Sequence, residues 1–194
     1  VCSADPLLPA NIGEVADRLG YSNPYAELRQ ACTGFANALQ WAVGLLASAT
    51  AAPVAIVGSE VGSVYFDPLS LADDPSQWVN LMQMGDGAGA IVLGVDDGSP
   101  GARLETPFIG RIDAGKPAAF ALEDGGSDFP GMRPGRTSAM FRHDFDTVKR
   151  DGMALFRAGL AAAQTAGVQI QSLAAILPHQ ANGKMGAWLA RELD

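Results

Sequence analysis

Residues 28–49 read LRQACTGFANALQWAVGLLASA, and the interpretation of the whole chain depends on this stretch. It carries no charge after Arg29, and its apolar side chains go all the way round a helix. A helix that is apolar on every side is typical of a buried position. Scattered polar residues make the stretch too polar to span a bilayer, and Pro53 ends the pattern. We therefore predict the buried central helix of a water-soluble α/β core.

A cysteine, Cys32, stands at the head of this helix. Residues 24–30 are predicted to form a strand, so Cys32 would lie where a strand passes into a helix N-terminus. Unpaired amides and the positive end of the helix dipole favour the ionised sulfur there, and the same amides can hold an oxyanion. Gly34 would let the backbone and a substrate approach closely. The alternative is a small buried hydrophobic residue, which is what most lone cysteines are.

The composition limits the class of protein. A chain of 194 residues fits one domain with a sizeable core. Its net charge of −8 argues against nucleic acid or an anionic membrane as the main partner. The two cysteines, Cys2 and Cys32, cannot build a disulfide framework, and the chain does not begin with a signal peptide, so a cytoplasmic location is expected. Val1 starts within strand-like residues and Asp194 stops within a helical pattern, which indicates a partial chain.

The first half of the chain alternates helical and strand patterns. An amphipathic helix is predicted over 10–19, with Gly20 just past its C-terminus. VAIVGSE, residues 54–60, reads as a buried strand, so the succession is βαβ-like. In MGDGAGAIVLGVD, residues 84–96, the glycines predict a packing turn that leads into a strand. A further strand over 102–113 would pair with that one across a short turn.

Residues 115–142 form the least regular region and hold three arginines, Arg133, Arg136 and Arg142. Two interpretations stay open for them, a solvated loop or a patch that meets the phosphates of an acidic or nucleotide-like substrate. Position alone does not decide between the two. His143 lies in a charged stretch and is predicted to be exposed.

Helical spacing returns over residues 145–165, and Gly167 closes the helix. A strand is predicted over 173–177, followed by His179 and then by a helix over 184–193. The histidine therefore occupies the same kind of place as the cysteine, between the end of a strand and the start of a helix. Two reactive side chains in equivalent places favour a catalytic pair over two unrelated structural residues.

Three segments carry a family resemblance: ACTGF at 31–35, GDGAGA at 85–90 and PHQAN at 178–182. In this order they resemble the β-ketoacyl-acyl carrier protein synthase III family of the thiolase superfamily. The resemblance implies a layered αβαβα fold with mixed sheets around a buried central helix. It also implies one thiolase-like domain over 1–194, incomplete at both ends, with 1–95 from the N-terminal half and 96–194 from the C-terminal half. The asparagine that pairs with the histidine in this family would fall beyond the last residue.

The resemblance implies decarboxylative condensation in fatty acid or polyketide biosynthesis. Cys32 would carry the acyl group of an acyl-CoA starter, and His179 would stabilise the enolate formed when a malonyl thioester loses CO₂. Neither a metal nor a redox cofactor is required. The expected partners are acyl-CoA, acyl carrier protein and a second copy in a homodimer, with no nucleic acid and no membrane. Substrate or carrier contacts are expected at Leu8, Gln180, Ala181, Asn182, Gly183 and Lys184.

Three other functions remain open on the same residues. A related acyltransferase would pass the acyl group to an alcohol, an amine or a carrier protein without decarboxylation. A non-catalytic partner subunit would share the fold, although the presence of both Cys32 and His179 argues against it. A Cys/His hydrolase would use the histidine as general base and water as the acceptor.

Overall fold

The structure, a computed structural model, describes residues 9–48, 52–66, 71–72, 74–75, 77–105, 107–112, 115–123, 140–181 and 183–193. The mixture of helices and strands in it confirms the α/β class, while the layered arrangement stays a prediction. The described helices are α1 (Asn11–Leu19), α2 (Gly34–Ser48), α3 (Gln77–Gln83), α4 (Phe145–Thr165) and α5 (Met185–Leu193), and the described strands are β1 (Val54–Val61), β2 (Asp86–Leu93), β3 (Phe120–Glu123) and β4 (Met140–His143).

The chain divides into two units. The first consists of Val1–Val64 and Met84–Ile109, and it contains α1, α2, β1 and β2. The second consists of Tyr65–Gln83 and Gly110–Asp194, and it contains α3, β3, β4, α4 and α5.

Helix α1 ends where the sequence predicts. Gly20 adopts the left-handed conformation with φ of 64°, which glycine reaches without the steric cost that a Cβ brings. Its N–H and that of Tyr21 donate to the carbonyls of Asp17 and Ala16, at 3.1 and 2.8 Å. These two bonds satisfy two of the last four carbonyls of the helix. Ala16 is buried. The predicted helix and its glycine stop are confirmed.

Helix α2 forms as predicted but is not buried on every side. It packs on β1, and Gly34 and Ala42 are its buried residues. Phe35, Trp41 and Leu45 are nevertheless exposed, Trp41 by 54%. The prediction of burial all round was wrong for the described structure because the two-stranded sheet covers only one face of the helix. An apolar composition indicates that a helix is stabilised by burial. How much of its surface is buried depends on the neighbouring elements.

Strands β1 and β2 pair antiparallel from Val54↔Leu93 to Val61↔Asp86. The strand predicted over 54–60 is therefore confirmed, but its predicted burial was wrong, because within β1 only Ile56 is buried. The βαβ-like succession was also wrong, because no strand precedes α2 among the described residues. Of the glycines that were predicted to form a turn, Gly87 and Gly89 lie within β2, with Gly89 opposite Gly58, and Gly85 directly precedes the strand. Ile56 is buried, but Val57 beside it is exposed, as expected when alternate side chains point to opposite faces.

No strand forms over the described residues between β2 and β3, so the strand predicted over 102–113 was wrong. Pro107, which cannot donate to a ladder, and Gly110 interrupt this segment. The predicted turn before it is present: the Asp96 carboxylate accepts from the Gly98 N–H at 2.9 Å and from Arg103 Nε at 2.7 Å.

In the second unit, β3 and β4 pair antiparallel, with Phe120 opposite His143. Helix α4 then begins behind an N-cap, because the Asp144 carboxylate accepts from the Thr147 N–H at 3.0 Å. Its bounds agree with the predicted 145–165, and Gly167 after it has φ of 93°. Helical periodicity and both end signals coincide here, which explains why this prediction is confirmed in full.

The strand predicted over 173–177 was wrong, since this segment is irregular and pairs with no described strand. Leu177 is 92% exposed, so the apolar run has no covering layer in the described unit. The helix predicted from 184 is present as α5, and Arg157 Nε on α4 donates to the Glu192 carboxylate at 2.7 Å. Of the helices that the structure describes, none combines the length and the hydropathy needed to cross a membrane.

Candidate active site

Cys32 is the middle residue of a 3-10 turn, Ala31–Thr33, that continues directly into α2. Its thiol is free and exposed. The Thr33 N–H and the Thr33 hydroxyl both donate to the Gln30 carbonyl, at 3.2 and 2.8 Å. The Asn37 side chain donates to the Thr33 carbonyl at 2.9 Å. The predicted position of Cys32 at the head of a helix is confirmed, and its exposure contradicts the alternative of a buried hydrophobic cysteine.

Ala31, the residue before the cysteine, is strained. Among the described residues other than glycine, it alone has a positive φ, of 46°. The left-handed conformation costs an alanine about 1–2 kcal/mol. Strain of this kind persists only where the surroundings impose it, and it is typical of turns that hold a nucleophile in a set position. No sequence signal reveals it, because alanine is an ordinary residue in helices.

The segment that leads into the turn is not the predicted strand. Residues 24–30 are irregular, and Glu27 ties them to α1 by accepting from the Ile12 N–H at 3.1 Å. Within the segment the Glu27 carboxylate also accepts from Arg29 Nε at 2.8 Å. Burial acts to raise the pKa of Glu27, but the bonds from Arg29 and Ile12 outweigh it, so the pKa lies below its usual value. A side-chain carboxylate therefore does the positioning that the prediction assigned to a strand.

The predicted role of Gly34 needs revision in one respect. Its φ is −58°, which any residue adopts, so the position does not require glycine for its backbone conformation. An added Cβ would meet only the Gln30 Cβ, at 4.0 Å. The close backbone approach in this unit is instead at Gly62, where an added Cβ would come within 3.0 Å of the Met84 Cβ.

The glycine run GDGAGA contributes a carboxylate that the sequence reasoning overlooked. Asp86, the first residue of β2, accepts from the Ser63 hydroxyl at 2.7 Å and from the Ser63 N–H at 2.9 Å. The Ser63 hydroxyl, the Ser63 amide and the Gly62 amide together lower the pKa of Asp86 against a small opposing effect of burial. Asp86 thus caps the 3-10 helix Gly62–Tyr65 that follows β1. The signal in the sequence that could have indicated this cap is a carboxylate among glycines at the start of a predicted strand.

We expect Asp86→Asn to lower the melting temperature at neutral pH by a few degrees, because an amide offers one neutral acceptor where the carboxylate accepts two bonds. The folded-state pKa is depressed, so the stabilisation is present above the unfolded value of about 3.9 and is lost as the pH falls through the folded pKa. Thermal unfolding from pH 7 down to pH 3 measures the difference between wild type and variant. It should shrink with acid, and the control Asp17→Asn, an exposed change, should melt close to the wild-type temperature at pH 7. A pH-independent difference would contradict the role of the charge.

The second predicted catalytic residue, His179, lies in the irregular segment between a 3-10 turn, Ile170–Ser172, and α5. Its side chain is exposed. The predicted strand before it is absent, and the predicted helix after it is present. Since Cys32 belongs to the first unit and His179 to the second, their pairing stays a prediction.

The predicted substrate and carrier contacts surround His179. Gln180, Gly183 and Lys184 are exposed, and Ala181 is half-buried. The Lys184 carbonyl accepts from the Trp188 N–H at 3.1 Å, which places this lysine at the start of α5. Two further predicted contact residues, Leu8 and Asn182, lie outside the described residues.

The predicted basic patch is only partly described. Arg133 and Arg136 lie outside the described residues. Arg142 lies in β4, where its Nη2 donates to the Ala118 carbonyl at 3.0 Å. At least one of the three arginines therefore has a structural hydrogen bond within the second unit. No group of three metal-ligating side chains is present in the described part of the chain.

His143 was predicted to be exposed, and that prediction was wrong. Its ring is half-buried, stacked on Phe145 at a centroid distance of 3.8 Å and set edge-on to Phe120 at 5.0 Å. Its Nδ1 lies 2.9 Å from the Asn80 Oδ1. Burial lowers the pKa of His143, and the charge of Asp144 only partly opposes this. The charged neighbours in sequence suggested a surface position, whereas Phe145, two residues further on, was the better signal. The contact with Phe120 depends on the pairing of β3 with β4.

A family model described as 3-oxoacyl-[acyl-carrier-protein (ACP)] synthase III matches residues 26–108. The match includes the turn that holds Cys32 and the glycine run that holds Asp86. It ends before His179. The family evidence from this model therefore concerns the cysteine side of the candidate site.

Curated relatives align over nearly the whole chain. The 3-oxopimeloyl-[acyl-carrier-protein] synthase of Rhodothermus marinus is 33% identical over 97% of this chain and 53% of its own. The β-ketoacyl-[acyl-carrier-protein] synthase III 1 of Deinococcus radiodurans is 30% identical, over 93% of this chain and 50% of its own. The β-ketoacyl-[acyl-carrier-protein] synthase III of Pseudomonas aeruginosa is 32% identical, over 99% of this chain and 56% of its own.

The chain thus spans about half the length of the curated relatives that it matches. No solved structure matches it significantly. The resemblance seen in the three motifs is nevertheless confirmed by the matched family model and by relatives that align through all three segments. Over nearly its whole length the chain is therefore similar to proteins of the β-ketoacyl-acyl carrier protein synthase III family.

Proposed function

We propose that the protein joins an acyl-CoA starter to a malonyl thioester by decarboxylative condensation, in fatty acid or polyketide biosynthesis. One observation carries the proposal: Cys32 is a free, exposed thiol in a strained turn at the head of α2, within the segment that matches the family model. The names of the relatives, which are synthases acting with acyl carrier protein, support the same reaction class.

In the first step the Cys32 thiolate attacks the thioester carbonyl of acyl-CoA. The tetrahedral oxyanion needs hydrogen-bond donors. The turn uses the amides of Thr33 and Gly34 internally, for the carbonyls of Gln30 and Ala31. The amide of Cys32 itself takes no part in these bonds, and we assign it to the oxyanion. Collapse of the intermediate expels the CoA thiolate, which takes up a proton, and leaves an acyl-Cys32 thioester.

In the second step a malonyl thioester loses CO₂, and the electron pair of the broken bond forms an enolate. His179 Nε2 would donate a hydrogen bond to the enolate oxygen, together with the asparagine that the family resemblance implies. The carbanion attacks the acyl-Cys32 carbonyl, and the Cys32 thiolate leaves with the electron pair of its C–S bond. The 3-ketoacyl product is released, and the cysteine is ready for the next acyl group. Neither step needs a metal or a redox cofactor.

The segment around α5 is the proposed contact for acyl carrier protein. Gln180, Gly183 and Lys184 are exposed at the start of this helix. A lysine and the amides of a helix N-terminus both suit the phosphate of a phosphopantetheine arm or an acidic carrier surface. Leu8, Ala181 and Asn182 complete the proposed set of substrate and carrier contacts. A thiolase-like layered fold, a homodimer and a cytoplasmic location belong to the same proposal.

The test is to incubate the complete protein with acetyl-CoA and octanoyl-CoA in parallel and to measure its intact mass and its cysteine-containing peptides. We expect an acyl mass shift on Cys32 that persists for minutes. Malonyl thioester labelled in its free carboxyl group should then release labelled CO₂ and yield a 3-ketoacyl product.

The other possible functions give different outcomes in this experiment. Transfer of the acyl group to an acceptor without CO₂ release would show a non-decarboxylating acyltransferase and overturn the condensation. Rapid loss of the acyl group as free acid would show a hydrolase and overturn both. No acylation with either donor would show a non-catalytic partner subunit.

A further inference from the structure

A chain of four polar side chains runs through the second unit. Gln77 Nε2 lies 3.2 Å from the Asp74 Oδ2, Asn80 Nδ2 lies 3.1 Å from the Gln77 Oε1, and His143 Nδ1 lies 2.9 Å from the Asn80 Oδ1. Asn80 is only 1% exposed, and Gln77 is also buried. The chain joins α3 to the point where β4 passes into α4. Because its two central amides are buried, their hydrogen bonds are made to protein groups, and each amide is oriented by the groups on either side of it.

The direction of the chain follows from its carboxylate. An ionised carboxylate only accepts hydrogen bonds, so the side chain of Gln77 must turn its NH₂ group toward Asp74 and its oxygen toward Asn80. Asn80 must then donate with its NH₂ group, which leaves its oxygen facing His143. An amide oxygen also only accepts, so the imidazole must supply the proton at Nδ1. A neutral imidazole carries one N–H, and Nε2 is therefore the unprotonated nitrogen.

We propose that Asp74, Gln77, Asn80 and His143 form a directional hydrogen-bond relay that locks His143 in the Nδ1–H tautomer and fastens α3 to the β4–α4 junction. The relay is a conformational device within the second unit. It does not depend on the proposed acyl chemistry, because it involves neither Cys32 nor His179.

The surroundings of the ring keep the locked imidazole neutral. From α3 the described contact is the uncharged Asn80, with the charge of Asp74 held two side chains away. From β3 it is Phe120, and from α4 it is Phe145. The described charge that acts on the ring is that of Asp144, the N-cap of α4, which is itself paired with the Thr147 amide and influenced by Arg150. Arg142, on the other side of His143 in sequence, donates to the Ala118 carbonyl.

The relay is therefore sensitive to acid. Burial lowers the pKa of His143 below its ordinary value of 6.5. The unfolded chain then binds the proton more readily than the folded one, so the stability of this unit is full above pH 6.5 and falls as the pH drops toward the folded pKa. Protonation keeps the Nδ1–H bond to Asn80 but adds a second N–H and a charge between the two phenylalanine rings.

The test measures the tautomer of His143 directly. The complete protein is labelled with ¹⁵N-histidine, and long-range ¹H–¹⁵N correlation spectra at pH 7.5 show which ring nitrogen carries the proton. The signal of His143 is assigned by its absence from His143→Gln. We expect the wild type to show a protonated Nδ1 and an unprotonated Nε2.

Two variants and one control separate the relay from general structure. Asp74→Asn keeps the shape but introduces a group that can donate, and Asn80→Ala removes the acceptor. In each, the Nδ1–H preference should fall by about fivefold, the worth of one ordinary hydrogen bond. Gln83→Ala, an exposed change on the same helix, should leave the tautomer unchanged. If Asn80→Ala does not fold, the near-isosteric Asp74→Asn decides. A wild-type ring protonated mainly at Nε2, or an unchanged preference in Asp74→Asn, would overturn the relay.

Discussion

Cys32→Ala abolishes acyl loading in the complete protein, with an expected loss on the order of 10⁴-fold or more, because no other group replaces the thiolate in the covalent step. The thiol is exposed, so its removal leaves no buried cavity. Surface changes of this kind shift stability by about 0.5 kcal/mol or less. The variant should therefore unfold at nearly the wild-type temperature while the mass shift after incubation with acyl-CoA disappears.

The matched control for this prediction is Cys2→Ala, which removes the other cysteine of the sequence. It should load with acyl groups as the wild type does. If Cys32→Ala still acquires a stable acyl mass shift, the acyl carrier is another residue and the proposed first step is wrong. If both variants lose loading together with their thermal transition, the readout reports folding, and the milder Cys32→Ser then tests the chemistry.

The helices α1 and α4, which the sequence predicted correctly, have a local signal at one end or at both ends as well as a periodic interior. Helix α4 has Asp144 as N-cap and Gly167 behind it, and α1 ends at Gly20. These signals act within a few residues of the chain, so they do not depend on the tertiary environment. The strand β1 was found for a related reason, since its apolar run is bounded by Pro53 and by the glycine that follows it.

The predictions that failed needed partners that sequence alone does not specify. Residues 24–30 and 173–177 have apolar or extended patterns, but a strand exists only when another strand supplies its hydrogen bonds. The burial of α2 was overestimated for the same reason, because the described sheet covers one face only. The local sequence indicates which secondary structure a segment prefers. Whether a strand is paired and whether a helix is buried depend on contacts with distant parts of the chain.

In the candidate site, too, the sequence revealed the features that depend on local residues and missed those that depend on backbone geometry or distant contacts. Cys32 was found because a lone nucleophile preceded a helix and because the ACTGF turn carried a family resemblance. The strain at Ala31 and the cap formed by Asp86 on Ser63 were not found, since both depend on backbone geometry or on a contact 23 residues apart. His143 was misjudged because its sequence neighbours are charged, while its ring lies against Phe120 and Phe145.

His179→Ala should separate the two halves of the proposed reaction. Loading of Cys32 from acyl-CoA should continue within a few-fold of the wild-type rate, because the exposed thiol and the backbone amide that serve it do not involve the histidine. The malonyl-dependent release of CO₂ should fall by about 10²–10³-fold, the usual cost of removing one donor to a developing oxyanion. Intact-mass kinetics follow the first step, and labelled CO₂ follows the second.

The chain offers its other histidine as the control for this variant. His143→Gln removes an imidazole that belongs to the relay with Asn80 and not to the proposed reaction, so both steps should persist once the folded fraction is taken into account. A His179→Ala protein that cannot be acylated would show that the histidine activates Cys32 in loading, and the assignment to decarboxylation would then be wrong. Unimpaired CO₂ release would remove His179 from the reaction altogether. An oxyanion donor at this position predicts one combination: a stable acyl-Cys32 thioester together with a loss of CO₂ release from the malonyl thioester.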